Sequence, residues 1–247
     1  MLFAHVGCEQ PPGDAVKQVA DAERDFRSQN YPSAEAKLTQ FIQRYPKSPE
    51  AAEAYYLRSL CNARRSSKVA AEADARSCLR LSKDKLLTAN AHATIATLCF
   101  EANRNREAID HFAAALAVLP DKAPSDLLRF RYATCLQREG RWAEAKAEFN
   151  AVCNRYPGSD LGPLALRMTQ WQHDAFSIQC GAFREKSAAV SLEKKIRQAG
   201  LKAWVEQRSR SGEVLHTVYA GNYPSYAQAR DALPRVQRSA PGAHIVP

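Results

Sequence analysis

Apolar residues in the first two-thirds of the chain recur at helical steps, and the recurrence itself repeats. Ala34, Ala71, Ala108 and Ala145 stand 37 residues apart. Four residues after each come Leu38, Ala75, Phe112 and Phe149, and eight after each come Ile42, Leu79, Leu116 and Cys153. Steps of four and eight stay on one face of an α-helix. Twelve residues upstream, across polar turns such as "EANRN" (Glu101–Asn105), lies a second small residue: Ala22, Ser59, Ala96 and Ala133. Paired small residues let two antiparallel helices approach closely. Pro46, Pro120 and Pro157 stop the second helix of their units, because Pro lacks an N–H donor and clashes with the preceding turn; the second unit has Lys83 at that place. A fixed period of this length predicts an all-α solenoid of four helical hairpins over about Asp14–Pro157. An apolar helix around Leu161–Trp171 would cap the stack.

After Gln172 the period falls to two. "FSIQCGAF" (Phe176–Phe183) alternates, and "SAAVSLEKKIRQAG" (Ser187–Gly200) returns to helical spacing with a Gly stop. Then follow strands "LKAWVEQRSR" (Leu201–Arg210) and "VLHTVYAGNY" (Val214–Tyr223), helix "SYAQARDALPRVQ" (Ser225–Gln237) and the short β-like "AHIVP" (Ala243–Pro247). The order βαββαβ predicts a split βαβ domain, four strands on two helices. The two βα halves echo one another: with Gly181 aligned on Gly221, Ile178 meets Val218, Cys180 meets Ala220 and Phe183 meets Tyr223. The expected architecture is therefore two-domain, α followed by α+β: a tail over residues 1–13, repeats over 14–172 and a terminal domain over 173–247.

Strand alternation also sorts the terminal sheet into faces. Ile178, Cys180, Ala203, Val205, Val218 and Ala220 suit a core against both helices. Ser177, Gln179, Trp204, Glu206, Thr217 and Tyr219 go to the other face, which no helix is left to cover; the alternative for the Leu201–Arg210 strand puts Trp204 in the core and Ala203 and Val205 outward. Aromatic rings stack on the apolar faces of pyranoses, and amide and hydroxyl groups pair with sugar hydroxyls, so these six residues make a plausible sugar platform.

Small residue, small residue twelve later, aromatic, then Pro resembles the tetratricopeptide repeat, with a period three longer than the usual 34. "FIQRYPKSPEAAEAYY" and "FNAVCNRYPGSDLGPLAL" are similar to bacterial envelope members of that family. The resemblance implies a concave groove for an extended peptide or a partner's helix; Arg58, Asn62 and Arg129, polar on first helices, are its candidate contacts. The opening strand "FSIQCGAF" and the later "VYAGNYPSYAQA" resemble the two hallmarks of the SPOR domain of bacterial cell-envelope proteins. That resemblance implies binding to peptidoglycan, specifically glycan strands stripped of stem peptides, with Gln179 inside the motif carried over most directly. Thr217 departs from the basic residue frequent there.

Composition narrows the remaining classes. The formal charge of +9 suits nucleic acid, anionic lipid or an acidic polymer and selects none of them. An RNA-recognition domain shares the βαββαβ order and is the alternative reading, yet the basic-Gly-aromatic signature of its third strand is missing from "VLHTVYAGNY". H-E-x-x-H, G-x-S-x-G and P-loop motifs are missing too, and the six His lack ligand spacing, so neither an enzyme, a cofactor nor a metal is expected. The seven Cys contain no C-x-x-C pair, and five fall at apolar helix positions, where a free thiol acts as a small hydrophobe. "HVGC" (His5–Cys8) before "EQPPGD" resembles the end of a lipoprotein signal and makes Cys8 a lipidation candidate, though the upstream segment is missing. Together these readings describe a non-catalytic envelope adaptor in the periplasm, concerned with division or envelope organisation. It would hold glycan by its terminal domain and a protein by its repeats.

Overall fold

The computed structural model describes residues 11–170, 174–210 and 213–247. Cys8, the lipidation candidate, and Trp171 lie outside the described residues. Contacts divide the chain into two compact units, Met1–Tyr132 and Ala133–Pro247.

The first unit is built of helical hairpins: α1 (Gly13–Arg27) with α2 (Tyr31–Arg44), α3 (Ala51–Arg64) with α4 (Lys68–Leu81), and α5 (Lys85–Glu101) with α6 (Asn105–Leu116). Helix α7 (Ser125–Arg138) carries the division and pairs in the repeat pattern with α8 (Trp142–Arg155), which α9 (Gly162–Thr169) follows. The period in the sequence is thus a period in space. The small residues Ala22, Ser59, Ala96 and Ala133 of the first helices are fully buried, as are Ala34, Ala71 and Ala108 of the second helices. Leu38, Ala75, Phe112 and Phe149 are buried as well, whereas Leu79, Leu116 and Cys153, one turn on, are half-buried. Among the described residues no helix is long and apolar enough to cross a membrane.

Each hairpin turns on one residue in the left-handed region: Gln29 (φ 62°), Ser66 (62°), Asn103 (57°) and Gly140 (79°), again 37 apart. Three are non-glycine and carry steric strain there. The fourth is Gly for a reason found only in the fold: a Cβ at 140 would lie 2.7 Å from the Pro224 carbonyl oxygen. Gly140→Ala is expected to lower stability by about 2 kcal/mol or more, from the positive φ plus this collision. Gln29→Gly is expected to gain about 0.5 kcal/mol, because relief of strain exceeds the added chain entropy only slightly. Thermal melts of both variants check the pair; equal, small effects would show that the approach at Pro224 does not constrain the turn.

The second unit closes on a four-stranded antiparallel sheet of β1 (Phe176–Phe183), β2 (Ala203–Arg210), β3 (Glu213–Tyr223) and β4 (His244–Val246), in the order β2-β3-β1-β4. Helices α10 (Lys186–Gln198) and α11 (Tyr226–Gln237) follow β1 and β3. The core joins Ile178, Cys180, Ala203, Val218 and Ala220 of the strands to Ala189 and Ile196 of α10 and Val236 of α11, with Val205 half-buried beside them. A bulge in β3 falls at Gly221 (φ 69°), and the Tyr223 ring folds back over it, 2.2 Å from where a Cβ would stand. Gly181 has the Phe183 ring 2.9 Å from its own Cβ position. Gly-x-aromatic in both halves of the domain is therefore one device, a glycine roofed by the ring two residues on.

A second, smaller cluster joins this sheet to the last hairpin. Trp142, the first residue of α8, packs with Phe176 of β1 and Ala229 of α11. The Trp142 and Phe176 ring centroids lie 4.9 Å apart, and Tyr226 meets Phe176 edge-on at 5.7 Å. The Arg138 guanidinium lies 5.2 Å from the Tyr226 ring centroid. These residues all belong to the second compact unit, so packing begins that unit earlier than the change of period at Gln172 does.

Candidate functional site

Pairing across the sheet lines up one row of side chains on the face turned away from α10 and α11. Trp204 on β2 pairs with Tyr219 on β3, Tyr219 with Gln179 on β1, and Gln179 with His244 on β4. A neighbouring row takes Glu206 to Thr217. Ser177, two residues before Gln179, lies opposite Val246 on the same face. All six residues assigned by alternation therefore share one face, and Trp204 stands on it rather than in the core.

That face is less open than alternation implies, which corrects the expectation for two residues. Tyr219 and Thr217 are each only 4% exposed. Strand β2 is an edge strand, and its long side chains fold over β3. Trp204 stacks on Tyr219 with centroids 5.7 Å apart at 27°, and the Arg208 guanidinium carbon stands 5.5 Å from the Tyr219 ring centroid. Arg208 also pairs with Glu206 at 3.3 Å. A cation over a ring gains from the ring's negative face and displaces water from it. Lost hydration raises the Tyr219 phenol above its ordinary pKa, partly offset by Arg208. The reachable members are Ser177, Gln179, Trp204 and Glu206, half-buried, and His244, exposed.

A groove of about 970 Å³ runs beside this face, lined by Ser177, Trp204, Glu206, Arg197, Lys202 and Asn222 among others. It gathers three of the six assigned residues; Gln179, Thr217 and Tyr219 do not line it. Sequence reasoning missed His244 and Arg208. A strand of three residues shows too few alternations to assign His244 a face, whereas Arg208 follows Trp204 and Glu206 at the same period of two and could have been found.

The residues assigned to a repeat groove are placed otherwise. Arg58 donates through Nε and Nη2 to the two carboxylate oxygens of Asp74 on α4, at 2.9 and 2.7 Å, and through Nη1 to Thr39 Oγ1 at 3.1 Å. Asn62 Nδ2 donates to the same carboxylate at 3.1 Å. Both side chains are thus engaged between helices. Arg129 is buried, with Asp121 at 3.9 Å. At 100° per residue, positions 56, 60 and 63 lie roughly 140–200° around α3 from Arg58. Those three, Tyr56, Leu60 and Ala63, line a cavity of about 540 Å³ together with residues of α5 and α7.

Among the described residues, Glu72, Cys99 and Glu107 bring possible metal-ligand atoms within 4.8 Å of one another. Both carboxylates are already paired with the guanidinium groups of Arg76 and Arg104. Burial pushes the Cys99 thiol up to about 12, so a cation there would have to displace two Arg and deprotonate a reluctant thiol. The thiols of Cys61, Cys78 and Cys180 are likewise pushed up to about 11 by burial, as inert core thiols are.

Comparison with known proteins agrees with the two-part architecture. The family model of the SPOR domain matches residues 172–247, that of a tetratricopeptide repeat matches 128–159, and that of an outer membrane lipoprotein family matches 17–121. No curated protein matches the chain. Among solved structures, YrrB, described as a TPR protein with an unusual peptide-binding site, is 18% identical with a TM-score of 0.54, over 65% of this chain and 80% of its own. A tetratricopeptide repeat protein from Parabacteroides merdae is 13% identical with a TM-score of 0.54, over 63% of this chain and 59% of its own. At such identities these neighbours show the fold alone. The matching families are binding modules, and no enzyme family is indicated: a SPOR domain implies peptidoglycan binding, repeats of this type imply protein–protein interaction, and the matches point to the cell envelope. The chain is a tetratricopeptide-repeat protein that ends in a SPOR domain.

Proposed function

We propose that the protein is a non-catalytic adaptor that holds glycan strands stripped of stem peptides on the outer face of its terminal sheet and a protein partner on its repeats. The observation that carries this reading is the row Trp204–Tyr219–Gln179–His244, which sets an amide between aromatic groups across all four strands, with its central Gln inside the motif of the SPOR match. Ser177 and Glu206 extend the platform, and buried Tyr219 and Thr217 support it from below. In functional terms residues 14–172 form the recruiting part and 173–247 the anchoring part. The setting is the periplasm, with Cys8 as a lipid anchor and cell division or envelope organisation as the process. An excess of basic side chains over residues 173–247, eleven Lys and Arg against six Asp and Glu, adds attraction to an anionic wall.

Cosedimentation of the full chain with purified sacculi, before and after an amidase removes stem peptides, tests this. The full chain is needed because Phe176 and Ala229 pack against Trp142. Pelleting is expected to rise with stripping, and Gln179→Ala to weaken it by about tenfold, the loss of one or two neutral hydrogen bonds. Pelleting indifferent to stripping and abolished by salt would leave charge alone and turn attention to RNA.

A further inference from the structure

The repeat groove is electrically polarised: at its acidic end Glu23 is paired with Arg27 at 2.6 Å, whereas Glu53 and the Ser48 hydroxyl have no partner among the described residues. A cavity of about 770 Å³ lined by Glu23 of α1, Glu53 and Leu57 of α3 and Leu81 of α4 runs into the 540 Å³ cavity described above, with Tyr56, Leu86 and Asn90 common to both. Leu81 and Leu86 are 39% and 53% exposed, large apolar side chains left uncovered on its wall.

At the acidic end, Glu53 has no ion-pair or hydrogen-bond partner among the described residues. Its carboxyl is held above the ordinary range, first by lost hydration and then by Glu23 and Glu50. Glu50 Oε2 and Ser48 Oγ are both buried with no hydrogen-bond partner, and Ser48, 5% exposed, lines this cavity. Asp84 is otherwise engaged, capping α5 through the Leu87 N–H at 2.7 Å. Lys47 and Lys83 stand exposed on the rim, neither within 4.0 Å of a carboxylate. At the other end, Lys68 is neutralised by Glu101 at 2.7 Å, while Arg64 and Lys122 have no ion pair among the described residues.

Crowded carboxylates and unpaired buried acceptors lower their free energy by receiving a charged donor, and free guanidinium and ammonium groups do so by receiving a carboxylate. Resting on the reading of the repeats as a protein-binding part, we infer that this groove takes a partner segment with a Lys or Arg at the Glu53 end, apolar side chains over Leu81 and Leu86, and an acidic residue at the Arg64–Lys122 end. The polarity fixes the direction in which the segment lies. Lys47 and Lys83, exposed on the same cavity, oppose a cation there, so the preference for Lys or Arg rests on Glu53 and the unpaired Ser48 hydroxyl.

Four acetylated, amidated peptides test this against the full chain by fluorescence anisotropy. They share an apolar centre, are about ten residues long, spanning ~33 Å when extended, and end in Lys/Glu, Glu/Lys, Lys/Lys or Glu/Glu. One of the two mixed peptides is expected to bind best, by about tenfold over either like-ended one. Glu53→Gln is expected to remove the preference for Lys while keeping that for Glu, and Lys122→Gln to do the converse. Both variants keep wild-type melting and sacculus pelleting, which separates this outcome from failure of the glycan reading. Equal saturable binding of all four peptides would leave a peptide groove and overturn its polarity. No saturable binding, or a Glu53→Gln profile identical to wild type, overturns the inference outright.

Discussion

Asp74→Ala is expected to lower the stability of the first unit by about 3–5 kcal/mol, the loss that follows when one partner of a buried ion pair is removed. Asp74 is 6% exposed and accepts three hydrogen bonds, two from Arg58 and one from Asn62. Without it the guanidinium keeps Thr39 Oγ1 but loses the acceptor for its Nε and Nη2, and the Asn62 amide loses its acceptor. The Arg58 side chain is 19% exposed, so water can reach part of the orphaned group and the lower end of the range applies. The network sits in the hairpin that needs it. Where the other hairpins bury Leu38, Phe112 and Phe149, this one buries only Ala75, and its second helix ends without a Pro. Denaturant titration of Asp74→Ala, Arg58→Met and the double variant Arg58→Met with Asp74→Leu checks this. The double variant should recover most of the loss, because it leaves no buried group unpaired. A loss under about 1 kcal/mol for Asp74→Ala would mean the pair behaves as a solvated surface bridge.

Trp142→Ala is expected to destabilise the second unit by a similar amount, about 3–5 kcal/mol, for a large aromatic removed from a packed cluster. The less obvious consequence is where the loss shows. Because Trp142 packs on Phe176, the first residue of β1, hydrogen exchange should quicken in β1 as well as in α8. Faster exchange confined to α8 would mean the sheet stands independently of the last hairpin. Trp142 Nε1 is buried without a hydrogen-bond partner. Trp142→Phe therefore forfeits packing volume but no hydrogen bond and is expected to cost about 1–2 kcal/mol, which distinguishes a packing role from a polar one.

The helices and strands were legible because the code that specifies them is local. Small residues at Ala34, Ala71, Ala108 and Ala145 announce four equivalent close approaches, and alternation in "FSIQCGAF" announces a strand with one face in the core. The six sheet residues were legible as a set for the same reason: period two assigns a face whatever the neighbours are. Which of them water can reach was not. Tyr219 is buried because Trp204 and Arg208, eleven or more positions away along the chain, lean over it. Arg58 and Asn62 read as groove residues because polar side chains on a first helix usually face solvent, yet a carboxylate on the next helix claims both.

The sequence alone determined the number and order of the hairpins, the βαββαβ terminal domain and the motif that carries Gln179, since each follows from periodicity or from a contiguous stretch. Tertiary structure decided what depends on approach between distant segments. It made Gly140 the glycine among four left-handed turns, because only there does the Pro224 carbonyl come close. It brought His244 into the row with Gln179, Tyr219 and Trp204, and it placed the unpaired Glu53 at one end of the repeat groove and the unpaired Arg64 and Lys122 at the other. Periodicity records which face a residue takes; only packing decides what stands opposite it.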